Sequence, residues 1–198
     1  MEKIFIIGGM GAGKSTARKA LVDQGLEYVD LDKIGHEIHN WQVVKDDLVA
    51  AFGEDVLDAD GNVDRKILAH RAFKTPADTR KLNRITLPRI EDAFMTRLDE
   101  LEKAGCEAVV VENSVFKSRA MSMADMADVI IAIVAPLEVR IERAVASGFD
   151  EKDVRRRIAQ QITDAERIER ADIVFNNEGT KEELYNQVVS WWMDYIDV

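Results

Sequence analysis

The sequence predicts an α/β fold in three layers, a five-stranded parallel sheet with helices on both faces, and three observations predict it. Five short runs rich in β-branched residues fall at positions 3–7, 27–29, 108–111, 129–134 and 173–175 of the 198-residue chain. The stretches between them are long and helix-compatible, as parallel strands require, because each parallel neighbour is reached only through a crossover connection. A glycine-rich segment joins the first run to the first helical stretch, the order of a phosphate-binding strand–turn–helix.

Taken in order, Ile4-Phe5-Ile6-Ile7 is the first strand, and Gly8-Gly9-Met10-Gly11-Ala12-Gly13-Lys14-Ser15-Thr16 completes the pattern G-x-x-x-x-G-K-[ST]. Residues 17–22 continue as helix. Glycines let successive backbone N–H groups converge on phosphate oxygens while the helix adds the positive end of its dipole. Lys14 is placed to reach the β- and γ-phosphates and the Ser15 hydroxyl to ligate magnesium. The segment predicts nucleoside-triphosphate binding.

The second run ends in Tyr28-Val29-Asp30-Leu31-Asp32-Lys33. Ligands of open parallel sheets bind beyond the carboxyl ends of the strands, so these carboxylates are candidates for the reacting centre. Strand alternation puts Asp30 and Asp32 on one side if the extended chain persists. A carboxylate there can take the proton of an attacking hydroxyl, and either aspartate can instead cap a helix beginning near Lys33. Asp32 is the preferred base and Asp30 the preferred cap. Residues 52–104 read as mostly helical, with a turn at Asp58-Ala59-Asp60-Gly61-Asn62 and an X-Pro break at Leu87-Pro88. The unbroken apolar run Val129-Ile130-Ile131-Ala132-Ile133-Val134 fits a central strand covered on both faces. A polar, arginine-rich helical stretch follows it. Trp191 and Trp192 are expected to pack a final helix onto its own domain rather than onto a neighbour.

Composition narrows the class. A formal net charge of -10 argues against a wide nucleic-acid surface, so any polyanion must be met by local positive charge. Cys106 is the single cysteine, which fits a reducing cytosol and allows no internal disulfide. Met1 leads into the first strand without an intervening signal peptide, and no apolar run approaches the ~20 residues of a membrane span. A cytoplasmic protein without membrane or nucleic-acid partners is expected. Nothing in the sequence sets its oligomeric state.

Several segments together resemble the dephospho-CoA kinase family. They are the P-loop just described, Val29-Asp30-Leu31-Asp32-Lys33-Ile34-Gly35-His36-Glu37, Phe52-Gly53-Glu54-Asp55-Val56-Leu57-Asp58, and Asp60-Gly61-Asn62-Val63-Asp64-Arg65. Leu82-Asn83-Arg84-Ile85 with Pro88, Arg157-Ile158-Ala159-Gln160-Gln161, and the run from Arg170 to Gly179 continue it in the family's order over nearly the whole chain. The resemblance implies transfer of the γ-phosphate of ATP, with Mg2+, to the ribose 3′-hydroxyl of dephospho-CoA. It implies one P-loop kinase domain, with a core of residues 1–51, 105–136 and 169–198, an acceptor-side helical region at about 52–104 and a lid at about 137–168. Gly8, Gly11, Ala12, Gly13, Lys14, Ser15 and Thr16 would hold the ATP phosphates, and Asp32 would accept the hydroxyl proton. Asn177 would lie near the adenine, and His36, Asp64, Arg65 and Glu112 on the acceptor side.

The arginines divide. Arg140 and Arg143 share one face of a helix, and Arg143 matches a lid position of the family and is assigned to catalysis. Arg157 falls in the Arg-Ile-Ala-x-Gln segment and is assigned to phosphate, where a planar guanidinium suits bidentate contact. Arg155 and Arg156 read equally as a solvated helix face paired with Asp150, Glu151 and Asp153. Gln161 reads equally as a buried structural amide, and His36 as a helix-packing residue.

Two segments depart from the family pattern. In the third-strand segment, which runs on through Glu112-Asn113-Ser114-Val115-Phe116-Lys117, the preferred ungapped register puts Ala108 where a proline is usual and Glu112 at the acidic position. A shift of a few residues instead puts Glu112 near the proline and leaves the acid unmatched. Ser147-Gly148-Phe149 stands where the lid commonly carries a further arginine. A kinase of another hydroxyl acceptor and a catalytically silent nucleotide-binding protein are the alternatives these departures leave open.

Overall fold

Five strands, β1 (Glu2–Gly8), β2 (Glu27–Asp30), β3 (Ala108–Glu112), β4 (Val129–Val134) and β5 (Ile173–Asn176), form one sheet in the order β2-β3-β1-β4-β5. Every pairing is parallel. The computed structural model describes residues 1–112 and 123–197, so Asn113 to Lys117 of the third-strand segment lie outside the described residues. All five expected runs are strands, and β4 is buried at each of its positions. The chain passes from β1 to a neighbour on each side, β3 and β4, so the crevice at the carboxyl end of β1 is the switch point where such sheets bind ligands.

Contacts divide the described chain into two compact units, residues 1–30 with 101–198, and residues 31–100. In the first, α1 (Lys14–Val22) and the final helix α9 (Lys181–Ile196) pack side by side on one face of the sheet. Alternation puts Ile4, Ile6, Val110, Ile131 and Ile133 on that face, where they meet Ala17, Leu21, Leu184 and Val188. Phe5, Ile7, Val111 and Ile130 are as fully buried on the opposite face, and α8 (Asp164–Arg170) packs against β1 and β4 there. Trp192 is in the core, and the Trp191 ring stands edge-on to Phe175 with centroids 6.3 Å apart. The tryptophans therefore pack the last helix onto its own unit, as expected. The segment after β4 holds α6 (Leu137–Ala146) and α7 (Glu151–Ala159), joined through Ile141, Ala144 and Val154. Arg155 pairs with Glu151 and Glu138, and Arg156 with Asp153, on an exposed face, while Asp150 caps α7.

The second unit contains α2 (Leu31–Glu37), α3 (Gln42–Phe52), α4 (Arg65–Ala72) and most of α5 (Pro76–Lys103). Its turn is built as the sequence predicts. Asp58 Oδ1 accepts from the N–H groups of Asp60 and Asn62 at 3.0 and 2.8 Å, and Leu57 bridges Val63 in antiparallel pairing. Asp64 caps α4, accepting from the N–H groups of Lys66 and Ile67.

The expected break at Leu87-Pro88 is corrected: α5 runs 28 residues with Pro88 inside it. Pro88 removes one hydrogen bond and crowds the carbonyl a turn earlier, at a cost of about 3 kcal/mol. Side chains next to Pro88 add bonds of their own to this stretch of helix. Arg89 Nη1 donates to Ile85 O at 2.6 Å, Thr86 Oγ1 to Leu82 O at 3.0 Å, and Arg89 Nη2 ties the segment to Asp47 at 2.5 Å.

His39 sets a pH dependence in this unit. Burial first, and then the neighbouring His36 and Arg65, lower its proton affinity below the usual histidine range. Its Nδ1 is buried without a partner among the described residues. The unfolded chain then binds more protons than the folded one below the ordinary imidazole range near pH ~6.5. Stability present above that range is lost as pH falls toward the lowered folded value. His39→Gln is expected to flatten the fall in melting temperature between about pH 7 and pH 5 relative to the unsubstituted protein. Parallel curves for the two proteins would remove His39 as the cause.

Candidate active site

β1 ends at Gly8 and α1 begins at Lys14, so the chain must turn through five residues and present its N–H groups inward. Gly11 (φ 75°) and Gly13 (φ 110°) make that turn in the left-handed region, which side chains rarely adopt. Ala12 N–H donates to Gly9 O at 3.1 Å and closes the loop. Lys14 Nζ donates to Gly8 O at 3.1 Å, which holds the ammonium over the mouth of the loop. Ser15 is exposed in the first turn of α1.

The loop after β5 braces this turn. Asn177, 5% exposed, donates from Nδ2 to Ala12 O at 2.7 Å and from its backbone N–H to Val134 O at 2.8 Å. A Cβ at Gly13 would strike the Asn177 amide, so the close approach also requires glycine there. Arg143 of α6 donates to Asn177 O at 2.9 Å and to Gly179 O at 2.8 Å.

These elements enclose a cleft of about 470 Å³. Gly11, Gly13, Lys14, Ser15, Thr16, Glu112, Arg143 and Asn177 line it together, with Phe149 and Lys181 farther along the wall. Three cations against one carboxylate suit a polyphosphate. The donor set also fits magnesium. Among the described residues no cluster of three or more acidic, histidine or cysteine side chains forms a metal cage, and magnesium commonly takes one or two protein ligands plus phosphate oxygens and water. Ser15 is the side chain placed to serve it.

Glu112, at the end of β3, is held by two residues that the sequence reading missed. Arg18 Nη1 and the Tyr28 hydroxyl approach its Oε2 at 3.4 and 3.3 Å, and Arg18 donates to the Tyr28 oxygen at 2.9 Å. The Arg18 guanidinium also lies 4.5 Å from the centroid of the Tyr28 ring. Burial above all, with Glu112 and Asp30 adding to it, raises the Tyr28 hydroxyl above its ordinary range, so it stays a proton donor. Arg18 stands one helical turn after Lys14, on the same face of α1, and that spacing was the available signal.

Arg140, which had little support in the sequence, proves to be a buried strut. Its side chain is 5% exposed, and Nε donates to Met10 O at 3.0 Å. Nη1 contacts Asp164 at 3.2 and 3.3 Å, and Asp164 also accepts from Arg167 at 2.6 Å. Gln161 takes its place beside it, accepting the Met10 N–H at 3.0 Å. The structural reading of Gln161 left open by the sequence therefore has a specific content: it holds the phosphate loop.

The remaining candidates fall elsewhere. Gly8 and Ala12 lie behind the loop, buried. Arg157 is exposed on α7 and is not among the cleft residues. Asp32, His36, Asp64 and Arg65 belong to the second unit. Asp32 stands in the first turn of α2, His36 is exposed on that helix, and Asp64 is spent as the cap of α4. The expectation that extended chain carries Asp30 and Asp32 to one side is corrected: β2 ends at Asp30 and α2 starts at Leu31, so strand alternation stops between them.

A phosphate-cradling turn between the central strand and first helix of a 2-3-1-4-5 parallel sheet, faced by an arginine-bearing helix, defines a P-loop kinase. The dephospho-CoA kinase family model matches residues 3–183. The chain belongs to that family. It is 40% identical to the dephospho-CoA kinase of Corynebacterium jeikeium, covering 97% of this chain and 98% of that one. It is 37% identical to the dephospho-CoA kinase of Corynebacterium glutamicum over 93% and 92% of the two chains. Among solved structures it resembles TT1252 from Thermus thermophilus, with a TM-score of 0.82, 26% identity, and 98% and 97% of the two chains covered.

Proposed function

We propose that this kinase transfers the γ-phosphoryl group of ATP to the ribose 3′-hydroxyl of dephospho-CoA, giving coenzyme A and ADP, in the cytoplasm. The observation that carries the reading is the cleft over Gly11–Thr16 in a chain that matches the dephospho-CoA kinase family over residues 3–183. A silent nucleotide binder fits less well, because Lys14, Ser15 and Asp32 are all present, and a kinase of another acceptor fits less well because the family match runs over residues 3–183.

In this reading the 3′-oxygen forms a bond to the γ-phosphorus as the bond to the β,γ-bridging oxygen breaks. The hydroxyl proton passes to the Asp32 carboxylate, and the electrons of the broken bond leave with ADP. Such transfer is mostly positioning and charge stabilisation. The N–H groups of residues 11–16 hold the β-phosphate, and Lys14 spans the β- and γ-phosphates. Ser15 would hold Mg2+, which would supply neutralisation of the phosphate charge. Arg143 adds positive charge to the cleft wall while fixing the loop of Asn177 against the nucleotide. Glu112, oriented by Arg18 and Tyr28, stands at the acceptor side of the cleft. His36, Asp64 and Arg65 shape the acceptor site, Asp64 by capping the helix that carries Arg65. Arg157 is assigned to phosphate on closure of the lid at about 137–168 over the core of residues 1–51, 105–136 and 169–198, with the acceptor region at about 52–104.

The test is ADP release coupled to product identification by mass, with ATP, magnesium and dephospho-CoA. Coenzyme A formed at a rate of about 1 s⁻¹ or more, as kinases typically show, is expected. ATP binding without product would move the assignment to another acceptor.

A further inference from the structure

Both polar groups of Met10, at the tip of the phosphate loop, are held by side chains from outside the loop. Its N–H donates to Gln161 Oε1 at 3.0 Å and its carbonyl accepts from Arg140 Nε at 3.0 Å. The two clamps are themselves linked, since Arg140 Nη2 reaches the same Gln161 oxygen at 3.5 Å. Arg140 is fixed in turn by Asp164, which Arg167 also grips, and both arginines are almost fully buried. The loop composition matches this contact. A Cβ at Gly9 would run into the Arg140 guanidinium, and one at Gly11 into the Arg140 carbonyl.

Two buried guanidinium groups sharing one carboxylate are a poor device for stability alone. The desolvation of such groups commonly cancels their attraction, and apolar replacement is often neutral or stabilising. Burial indeed lowers the proton affinity of Arg167 despite its contact with Asp164. What a fork of fixed donors supplies is geometry. With the Met10 N–H committed to Gln161, the phosphate donors are the amides that follow it. Their convergence depends on the plane of the Met10 peptides.

We propose that Arg140 and Gln161 are positioning residues that lock the Met10 peptides from α6 and from the segment before α8, and so pre-form the phosphate cradle before nucleotide arrives. The proposal rests on the reading of this loop as the ATP site but not on the identity of the acceptor. Preorganisation of this kind appears as affinity, because an unheld loop must be ordered when the ligand binds.

The experiment compares Arg140→Met, Arg140→Lys and Gln161→Leu in the full chain. ATP affinity is measured by calorimetry with magnesium and without acceptor, alongside melting temperature, the KM for each substrate and hydrogen exchange at the amides of residues 9–13. Loss of a hydrogen bond to a charged group, read as affinity, predicts a rise of about tenfold or more in the Kd and KM for ATP in Arg140→Met, and loss of the neutral bond to Met10 a rise of about fivefold in Gln161→Leu. The KM for dephospho-CoA is expected to stay within about twofold, since the acceptor does not report on the loop. Exchange at residues 9–13 should accelerate. Arg140→Lys should recover only part of the affinity, because a point charge cannot serve Met10 and Asp164 together. ATP affinity within about twofold of the unsubstituted protein in both Arg140→Met and Gln161→Leu would overturn the proposal, whatever the melting temperatures. If Arg140→Met does not fold, Gln161→Leu decides, since it removes a neutral, half-buried amide. An unsubstituted protein that binds ATP but makes no coenzyme A would overturn the acceptor assignment and leave this proposal standing.

Discussion

Lys14→Ala is expected to lower kcat/KM by about three orders of magnitude, the scale on which one preorganised charge at a transferring phosphoryl group acts. Affinity for ATP should fall as well, because the ammonium meets the β- and γ-phosphates in the ground state. The size of the effect follows from placement. Lys14 is half-buried at the first position of α1, and its Nζ is held to the Gly8 carbonyl at 3.1 Å. It is already directed at the mouth of the loop, so little reorganisation is needed when the phosphoryl oxygens take up negative charge. Alanine is the best helix former, and the melting temperature should change by only a few degrees on the scale of surface substitutions. A stable Lys14→Ala protein that turns over within about tenfold of the unsubstituted rate would remove Lys14 from the mechanism, since nothing else at the loop could explain it.

How far the sequence revealed this site depends on how local each interaction is. Strand runs such as residues 129–134 carry their own signature, because a strand buried on both faces must be apolar at every position. The phosphate loop is equally local, nine consecutive residues whose spacing states the chemistry. Asp58 was legible for the same reason, its partners lying within four residues, whereas the cap made by Asp64 went unread although its partners are as near. Arg140 was not legible, because its partners Met10 and Asp164 stand 130 and 24 residues away and no local pattern marks them. Glu138 as a partner of Arg155 escaped likewise, 17 residues distant, whereas Glu151 and Asp153 were expected from helical spacing. Pro88 shows the opposite error: a strong local rule overridden by a 28-residue helix that runs through it.

The same distinction between local and distant causes separates the two aspartates. Asp32→Asn is expected to reduce kcat by about 10²- to 10⁴-fold, the range of a positioned general base, with ATP affinity nearly unchanged. Asparagine has the same shape and can still orient a hydroxyl but cannot take its proton. The competing account makes Asp32 merely an acidic residue favouring the N-terminus of α2, where it stands in the first turn. That role is worth about 0.3–1 kcal/mol and would appear as a small loss of melting temperature with turnover intact. Asp30 supplies the internal comparison. It is the last residue of β2 and directly precedes α2, the position from which a side chain caps a helix. Asp30→Asn should therefore leave kcat within a few-fold, since asparagine caps as well as aspartate. If Asp30→Asn abolished turnover and Asp32→Asn did not, the proton would have to pass to the end of the strand, beside Glu112 in the sheet register, and the assignment of the base would move there with it.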